Sequence, residues 1–442
     1  MFDGNQRGQV MRTLVSLFLF LGWGGIAYSV EGPSAPTGLR CEYLSSPTGI
    51  DVQKPRFSWV LHHTARAQTQ TAYQVLVAGR AEELDRDSGD VWDSGKVASS
   101  DSIQVAYAGK PLESGKTYYW KVRYWDTAGT ASPYSAPAQF EMGLLSREEW
   151  RGRWVEGDML RKEITLDGKI VRARAYVTAL GYYELRINGE KVGRNVLDPA
   201  WTTYPKRVLY TTYDVTRRMR SGKNAFGVML GGGWATLGER FFDPEVGPYY
   251  KAPALLLQIN IELEGGKTVS VASDGTWKAS KGPIVSDSVY DGEVYDARRE
   301  MPGWDQPEFD DSRWSAAETV EGSHGVLSAQ MMPPIRVVDS IVPVSLSNPK
   351  PGVYVFDMGQ NMSGWVQLRA EGPAGTQVTM RFAELVHPDG MIDRETIGAA
   401  KSRDVYSLMG KGRETYEPHF TYHGFRYVEV TGYPGVPSLD SL

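Results

Sequence analysis

Hydrophobic and polar residues alternate along most of the chain after residue 30, and the spacing of three or four that marks an amphipathic helix is rare. In segment 117–125, period two places four large side chains on one face, namely Tyr118, Trp120, Val122 and Tyr124. Turn signals separate such segments. The strongest is Asn188-Gly189, because both central residues of a type I′ hairpin turn need a positive φ. This pattern predicts an all-β protein.

The predicted strands fall into three groups, which we interpret as tandem β-sandwiches. Residues 33–144 hold about seven short strands, the number typical of a fibronectin type III- or immunoglobulin-like sandwich. Residues 147–322 have longer strands and richer loops, which favours a jelly roll like that of a carbohydrate-binding module. Residues 335–442 predict a further β-sandwich. We expect that unit to be incomplete, because no turn or capping element precedes Leu442.

The N-terminus has the pattern of an export signal. Arg7 and Arg12 precede an apolar run over residues 14–23, which as a helix is about 15 Å long and too short to cross a bilayer. Small residues around position 27 suit signal peptidase, so we predict a signal peptide over residues 1–29. The alternative is a buried first helix. After cleavage we expect no membrane attachment and a periplasmic or extracellular location.

Composition narrows the possible functions. The 442 residues include 48 Lys and Arg against 53 Asp and Glu, a net charge of −5, which argues against nucleic acid as a partner. The single cysteine, Cys41, excludes an internal disulfide framework and a thiolate zinc site. Aromatic residues reach 11%, with 13 Trp and 24 Tyr, and several lie in predicted loops.

These loop aromatics suggest a carbohydrate-binding site. Pyranose rings present apolar C–H faces that pack on indole rings, and their hydroxyls need directed polar partners. Two neighbouring predicted loops combine both kinds of group, and the candidate residues are Asn195, Asp198, Trp201, Tyr204 and Trp234. The alternative interpretation is that these aromatic residues only hold the loops together.

A catalytic site is harder to find in the sequence. Glycosidases use two carboxyl groups across the scissile bond. The acidic clusters are Glu239, Asp243 and Glu245, and Asp291, Glu293 and Asp296. Strand parity places Glu293 and Asp296 on opposite faces and Arg298 beside Asp296, which favours an ion pair. His419 and His423 share a face if they lie in one strand, but paired structural histidines are the simpler interpretation. We therefore assign no catalytic residues.

Four long segments resemble the N-terminal β domains of bacterial α-L-rhamnosidases. The first reads GYYELRINGEKVGRNVLDPAWTTYPKRVLYTTYDV, and the four ranges are 181–215, 282–314, 356–384 and 416–435. The resemblance implies a fibronectin-like module, then a domain akin to a rhamnose-binding module, then a sandwich that precedes the catalytic domain. It also implies that hydrolysis belongs to an (α/α)₆ barrel, for which this sequence has no matching helices. We expect either a fragment of a longer gene product or a truncated relative.

The same resemblance implies a possible cofactor. Related rhamnose-binding modules hold a calcium ion that bridges sugar hydroxyls, and oxygen ligands from two loops are required. The candidate ligands here are Asn195, Asp243 and the carbonyl of Pro248. Arg194 stands where the family usually has an acidic residue, and its guanidinium would repel a cation.

The sequence is compatible with three functions. The first is a carbohydrate-binding, accessory part of an exported α-L-rhamnosidase-like protein, with rhamnose-containing glycans and a separately encoded or missing catalytic barrel as partners. The second is an intact hydrolase of terminal α-L-rhamnosides with an unrecognised site. The third is a structural cell-surface protein that binds no sugar.

Overall fold

The computed structural model describes residues 32–237 and 249–442, and the elements in these ranges are nearly all strands. The predicted signal peptide lies outside them. The helices are one short α-helix, Ala81–Asp85, and the 3₁₀ turns Arg147–Glu149, Thr216–Arg218, Ala297–Arg299, Glu395–Ile397 and Leu439–Ser441. Among the residues that the structure describes, no helix is both long and apolar enough to cross a lipid bilayer. The all-β, tandem-sandwich prediction is confirmed.

The first sandwich packs a three-stranded sheet on a six-stranded sheet. In pairing order the small sheet is Pro33–Cys41, Arg56–His63 and Val105–Ala106. The larger sheet is Thr48–Ile50, Ala138–Met142, Thr117–Trp125, Ala72–Ala78 and Trp92–Asp93, with Val97–Ala98 also paired to Ala72–Ala78. The four aromatic and apolar residues of segment 117–125 are buried as the alternation predicts. Phe57 contacts Trp120 at a ring distance of 4.4 Å in this core.

The second sandwich consists of two large sheets that face each other. One sheet is Glu318–Val320, Trp154–Glu156, Ala254–Leu263, Ile170–Leu180, Arg207–Asp214 and Val326–Ala329, with Thr268–Ala272 paired to Ala254–Leu263. The other is Glu190–Lys191, Tyr182–Ile187, Gly222–Gly231, Met159–Leu166, Lys278–Ser280 and Ser315–Ala316. The turn at Asn188-Gly189 has φ of 53° and 88°, so the hairpin prediction is confirmed. Trp277 is fully buried between the sheets.

The third sheet contains strands from two distant parts of the chain. Its order is Ile284–Ser286, Val294–Asp296, Arg403–Ser407, Gln377–Ala383, His423–Thr431, Val353–Gly364 and Ser345–Lys350. Two small sheets accompany it, Leu368–Glu371 with Arg413–Tyr416, and Leu385–Val386 with Ile392–Asp393. The first two strands precede Ser315–Ala316 and Glu318–Val320 of the second sandwich. The chain therefore leaves the second sandwich, adds two strands to the third sheet, and returns.

A buried carboxylate fixes this crossover. Glu293 is 0% exposed and accepts hydrogen bonds from the Tyr416 hydroxyl at 3.1 Å and from the backbone N–H groups of His419 and Phe420 at 2.9 and 3.2 Å. Its own N–H donates to Asp404 at 2.9 Å. Because an unsatisfied buried charge is costly, these bonds tie the crossing segment to a single position.

A second buried carboxylate joins the first sandwich to the second. Glu141, on the strand Ala138–Met142, accepts two bonds from the Arg174 guanidinium, with Nε–Oε1 and Nη2–Oε2 distances of 2.7 and 2.9 Å. Arg172 contacts the same carboxylate at 2.9 Å. Bidentate pairing of this kind defines orientation as well as proximity. The relative position of the two sandwiches therefore depends on Glu141.

We expect the substitution Glu141→Ala to lower the free energy of unfolding by about 3 kcal/mol, because it leaves two partly buried guanidinium groups without their shared carboxylate. Chemical denaturation followed by tryptophan fluorescence measures the change. The matched control is Glu113→Ala, since Glu113 pairs with Lys116 at 2.6 Å on the exposed surface. That variant should change stability by less than about 0.5 kcal/mol. Equal losses in the two variants would contradict a role for Glu141 at the junction.

Candidate functional site

Two tryptophans from separate loops form the centre of the predicted carbohydrate site. Trp201 lies in the loop that precedes the strand Arg207–Asp214, and Trp234 follows the strand Gly222–Gly231. Their rings stack with a centroid distance of 4.8 Å and an interplanar angle of 16°. Trp201 remains 49% exposed, while Trp234 also meets the ring of Tyr290 edge-on at 5.7 Å. The structure thus brings both predicted tryptophans together and leaves much of one indole accessible.

Asp198 holds the loop of Trp201 in place from inside the protein. Its carboxylate is buried and accepts bonds from four side chains, namely Asn195 Nδ2 at 2.8 Å, Tyr213 OH at 3.1 Å, Gln330 Nε2 at 3.1 Å and Thr211 Oγ1 at 3.2 Å. The Asp198 carbonyl also accepts from the N–H of Tyr183 at 3.0 Å. All of these partners are protein groups, so Asp198 positions the loop and does not face a ligand.

Tyr204 differs from the prediction in a similar way. It is fully buried in an aromatic cluster, with ring distances of 5.4 Å to Tyr249 and 6.4 Å to Tyr250. Burial raises the pKa of its hydroxyl, and nearby tyrosines raise it further. A sugar in the solvent cannot contact this ring, because the turn before the strand Arg207–Asp214 directs its side chain into the core. The sequence showed an aromatic loop but not which of its rings point inward.

Only part of the proposed calcium set can be placed. Asp243 and Pro248 lie outside the described residues. The Asn195 Oδ1 atom accepts a bond from Arg336 Nε at 3.2 Å, so a guanidinium already occupies one side of that oxygen. Within residues 32–237 and 249–442, no group of three or more His, Cys, Asp or Glu side chains is arranged to hold a metal ion. Of the candidate ligands, the described residues therefore supply only Asn195 Oδ1, which already accepts a hydrogen bond from Arg336. Calcium binding stays a prediction.

The loop of Trp234 rests on Phe420, which precedes the strand His423–Thr431, and on Asp287. A Cβ atom at Gly231 would lie 2.3 Å from the Phe420 ring, so only glycine permits this approach. The ring that packs against Gly231 is thus that of Phe420. The Asp287 carboxylate accepts a bond from the Gly232 N–H at 2.7 Å. Burial raises the pKa of Asp287 to about 7, and the negative charges of Glu293 and Asp158 also raise it. Hydrogen bonds from backbone N–H groups act in the opposite direction and lower this pKa.

The other acidic candidates have structural partners. Asp296 forms the predicted ion pair with Arg298, at 2.8 Å from Nε, and is confirmed as a paired group. Glu293 is the buried anchor described above. Asp291 contacts Lys401 Nζ at 2.8 Å. Glu239, Asp243 and Glu245 lie outside the described residues. None of the described members of these clusters faces an open cleft as a pair.

The two histidines do not share a strand face, so that part of the sequence interpretation is wrong. The strand begins at His423, and His419 lies before it, 3.5 Å from Glu293. His423 instead hydrogen-bonds with Asp404 at 3.1 Å and with Ser402 at 3.2 Å. This Ser–His–Asp order is the one that hydrolases use. Here, however, Ser402 is 6% exposed and Phe382 covers the imidazole at 4.0 Å, so the three residues serve the core.

Several residues of the site could not be found from the sequence. Gln330 and Arg336 contact the Asn195–Asp198 loop although they lie more than 130 residues further along the sequence. No local pattern predicts such a contact. Asp287 lies in a segment noted for its family resemblance, but nothing in its neighbours predicts a raised pKa. The signal that would reveal these residues is spatial and requires the fold.

The fold and this surface define a tandem β-sandwich protein with an exposed aromatic loop site. Three family models match consecutive parts of the chain. They are the Rha78A-like N-terminal immunoglobulin domain over residues 36–146, the alpha-L-rhamnosidase N-terminal domain over 168–339, and the bacterial alpha-L-rhamnosidase concanavalin-like domain over 347–442.

Known proteins agree with these matches. An α-L-rhamnosidase of Streptomyces avermitilis is 32% identical over 92% of this chain and 56% of its own length. The structure of an α-L-rhamnosidase from Dictyoglumus thermophilum is 43% identical, with a TM-score of 0.87, over 92% of this chain and 48% of that one. The structure of the Streptomyces avermitilis enzyme complexed with L-rhamnose also has a TM-score of 0.87, at 32% identity, over 92% and 57% of the two chains.

The chain therefore belongs to the bacterial α-L-rhamnosidase family and is built of its N-terminal β domains. The first domain matches an immunoglobulin-type model, and the third is concanavalin-like. The chain spans about half the length of the curated relatives it matches.

The raised pKa of Asp287 predicts how one variant responds to pH. The folded protein holds this proton more tightly than the unfolded chain, so the resulting stability is fully present below about pH 4 and is lost as the pH rises to about 7. Asparagine resembles the protonated acid. We expect Asp287→Asn to melt at a higher temperature than the unchanged protein at pH 8 and at nearly the same temperature at pH 4.

Thermal melts at the two pH values test this expectation. The control is Asp310→Asn, because a hydrogen bond to Ser312 lowers the pKa of Asp310 and the carboxylate is the favoured form. That variant should lose stability at pH 8. A lower melting temperature of Asp287→Asn at pH 8 would show that its carboxylate is stabilised in the fold.

Proposed function

We propose that this chain binds rhamnose-containing glycans through the indole face of Trp201. The observation that carries the proposal is that a large apolar ring stays half-exposed although its loop is fixed by a buried carboxylate. Exposed tryptophans are costly to leave in water, and a flat indole suits the apolar face of a pyranose. The family membership supports rhamnose as the sugar, and a relative of known structure is complexed with L-rhamnose.

The environment of Trp201 supplies the second requirement of sugar recognition. Trp234 covers one face of its ring and keeps the indole in one plane, so a sugar meets a preorganised surface. Arg194 is exposed beside Asn195, and Arg336 already donates to that asparagine. Guanidinium groups offer several N–H donors in a fixed geometry, which suits the oxygens of sugar hydroxyls. These contacts favour modest affinity and do not require a metal ion.

We further propose that this binding serves hydrolysis by a glycosidase domain, in the same polypeptide or separate from it, and that the protein is exported. The relatives are α-L-rhamnosidases and are about twice as long as the matched region. The pattern over residues 1–29 supports export. A sugar-binding module raises the local concentration of substrate for an attached or associated catalytic domain.

Removing the exposed ring tests the binding proposal directly. We expect Trp201→Ala to reduce the affinity for L-rhamnose at least tenfold while the thermal melt stays within a few degrees, because the ring contributes surface and little core. Isothermal titration calorimetry with L-rhamnose, with and without calcium, measures the affinity. The matched control is Tyr43→Ala, which removes a 67% exposed ring from the first sandwich. Unchanged affinity in Trp201→Ala would exclude this indole as the binding surface.

A second candidate function, hydrolysis by this chain itself, is favoured by one observation. Asp287 and Asp158 line the same cavity of about 260 Å³, and burial raises the pKa of Asp287 to about 7. A glycosidase uses two carboxyls, one of which has a raised pKa and acts as the general acid. Asp158, however, contacts Lys281 at 3.1 Å, and two lysines line the cavity.

Incubation with 4-nitrophenyl α-L-rhamnoside separates the two functions. On the binding proposal we expect no release of nitrophenol above the uncatalysed rate, in either the unchanged protein or Asp287→Asn. Turnover that is abolished in Asp287→Asn and retained in Asp310→Asn would establish hydrolysis by this chain. The assay uses absorbance at several pH values, because an acid with a pKa of about 7 predicts activity that falls above neutrality.

A further inference from the structure

The outer face of the third sheet carries a row of charged side chains. The strand Gln377–Ala383 alternates between buried apolar residues and partly exposed ones, which places Arg381 on the face away from the core. On the two neighbouring strands, Arg403 and Glu429 lie directly opposite Arg381. Two like charges in directly opposite positions destabilise an antiparallel pair, so the stability of the sheet alone does not account for Arg381 beside Arg403.

Arg394 adds a third guanidinium group to this row. Its Nη2 donates to two backbone carbonyls at 3.1 and 2.6 Å, which hold the side chain in place. Burial lowers the pKa of Arg394, and repulsion from Arg381 and Arg403 also lowers it. The charge of Glu429 acts in the opposite direction. The four charged groups therefore interact electrostatically, and we call them the arginine row.

The arginine row has more positive charge than its single carboxylate balances. Arg381 Nη1 donates to Glu429 Oε1 at 2.9 Å. No carboxylate of the described residues forms an ion pair with Arg394 or Arg403. Asp393, next to Arg394 in the sequence, instead accepts a bond from a backbone N–H at 2.9 Å. Three positive charges against one negative leave a local excess of two, although the whole chain has a net charge of −5.

Two buried atoms of the arginine row have no hydrogen-bond partner. They are the Nε of Arg394 and the Oε2 of Glu429, a residue that is 1% exposed. Most buried polar atoms in folded proteins are paired, and an unpaired donor beside excess positive charge is explained by an ion that is absent from the protein chain itself. An anion at the row gives Arg394 an acceptor and reduces the repulsion between Arg381 and Arg403.

We infer that the arginine row binds a tetrahedral dianion of the phosphate type. The charge of the ion matches the local excess of two positive charges, and guanidinium groups bind such oxygens in a bidentate manner. Arg403 is exposed and the side chain of Arg381 is 36% exposed, so the ion reaches the row from the solvent. The inference does not depend on sugar binding by Trp201. A carboxylate of another protein segment is the competing occupant.

Titration calorimetry of the full chain with sodium phosphate at about pH 8 tests the inference. We expect phosphate and sulfate to bind, and acetate to bind about tenfold more weakly because it carries one charge. Arg403→Ala should weaken the affinity for phosphate about tenfold, since it removes a charge-assisted contact. The matched control is Arg66→Ala, because Arg66 is exposed in the first sandwich and likewise forms no ion pair with a described residue.

Thermal melts at constant ionic strength give a second readout, which a purely structural role of Arg403 does not predict. A ligand that binds only the folded protein raises the melting temperature as its concentration rises. Phosphate should therefore raise the melting temperature of the unchanged protein and of Arg66→Ala, but not that of Arg403→Ala. Without phosphate, Arg403→Ala should melt no lower than the unchanged protein, because it removes the repulsion with Arg381.

Methyl phosphate distinguishes the two sources of the ion. An affinity equal to that of inorganic phosphate supports a site for a phosphate group carried by a larger molecule, and binding of the inorganic ion alone supports a site for free phosphate. The inference is overturned if neither phosphate nor sulfate binds. Acetate that binds as tightly as phosphate points to a carboxylate of a protein partner and also overturns it, as do equal losses of affinity in Arg403→Ala and Arg66→Ala.

Discussion

The buried carboxylate of Glu293 is the interaction on which the geometry of this protein depends. It receives two backbone N–H groups and a tyrosine hydroxyl from the segment that precedes the strand His423–Thr431. Phe420 belongs to that segment, and its ring lies against Gly231 and stacks on Tyr182 at 6.5 Å. A buried carboxylate that needs all three of these hydrogen bonds has one favourable position relative to the groups that donate them. The position of Glu293 therefore determines where the loop of Trp234 leaves the second sandwich.

Asp198 holds the other loop of the candidate site in the same way, as a buried carboxylate that accepts several hydrogen bonds. A buried ion that is fully hydrogen-bonded contributes little net stability compared with an apolar residue, but it permits few alternative arrangements. We interpret both carboxylates as groups that select one loop conformation. The two tryptophans then meet at 4.8 Å although they come from separate loops. Positional precision of this kind is what a shallow sugar site needs, because it has little area with which to offset the cost of ordering a loop.

The sequence predicted those parts of the structure that depend on local pattern. Alternation identified the buried face of segment 117–125, and the Asn188-Gly189 turn followed from φ preferences alone. The sequence could not predict the pairing between distant strands, because period two shows which face of a strand is buried and not which sheet contains the strand. Ile284–Ser286 and Val294–Asp296 thus belong to the third sheet although the chain around them belongs to the second sandwich.

For the candidate site, the sequence indicated the right loops but not the part each residue plays. Trp201 and Trp234 are brought together, whereas Asp198 and Tyr204 turn inward because their partners lie elsewhere in the chain. Because Trp234 already covers one face of the Trp201 ring, a sugar in the proposed binding mode cannot stack on that face. One stacked face distinguishes sugars poorly, because most pyranoses have an apolar side. In the proposed binding mode, selectivity comes instead from polar groups of the neighbouring loop, such as Arg336, which donates to Asn195.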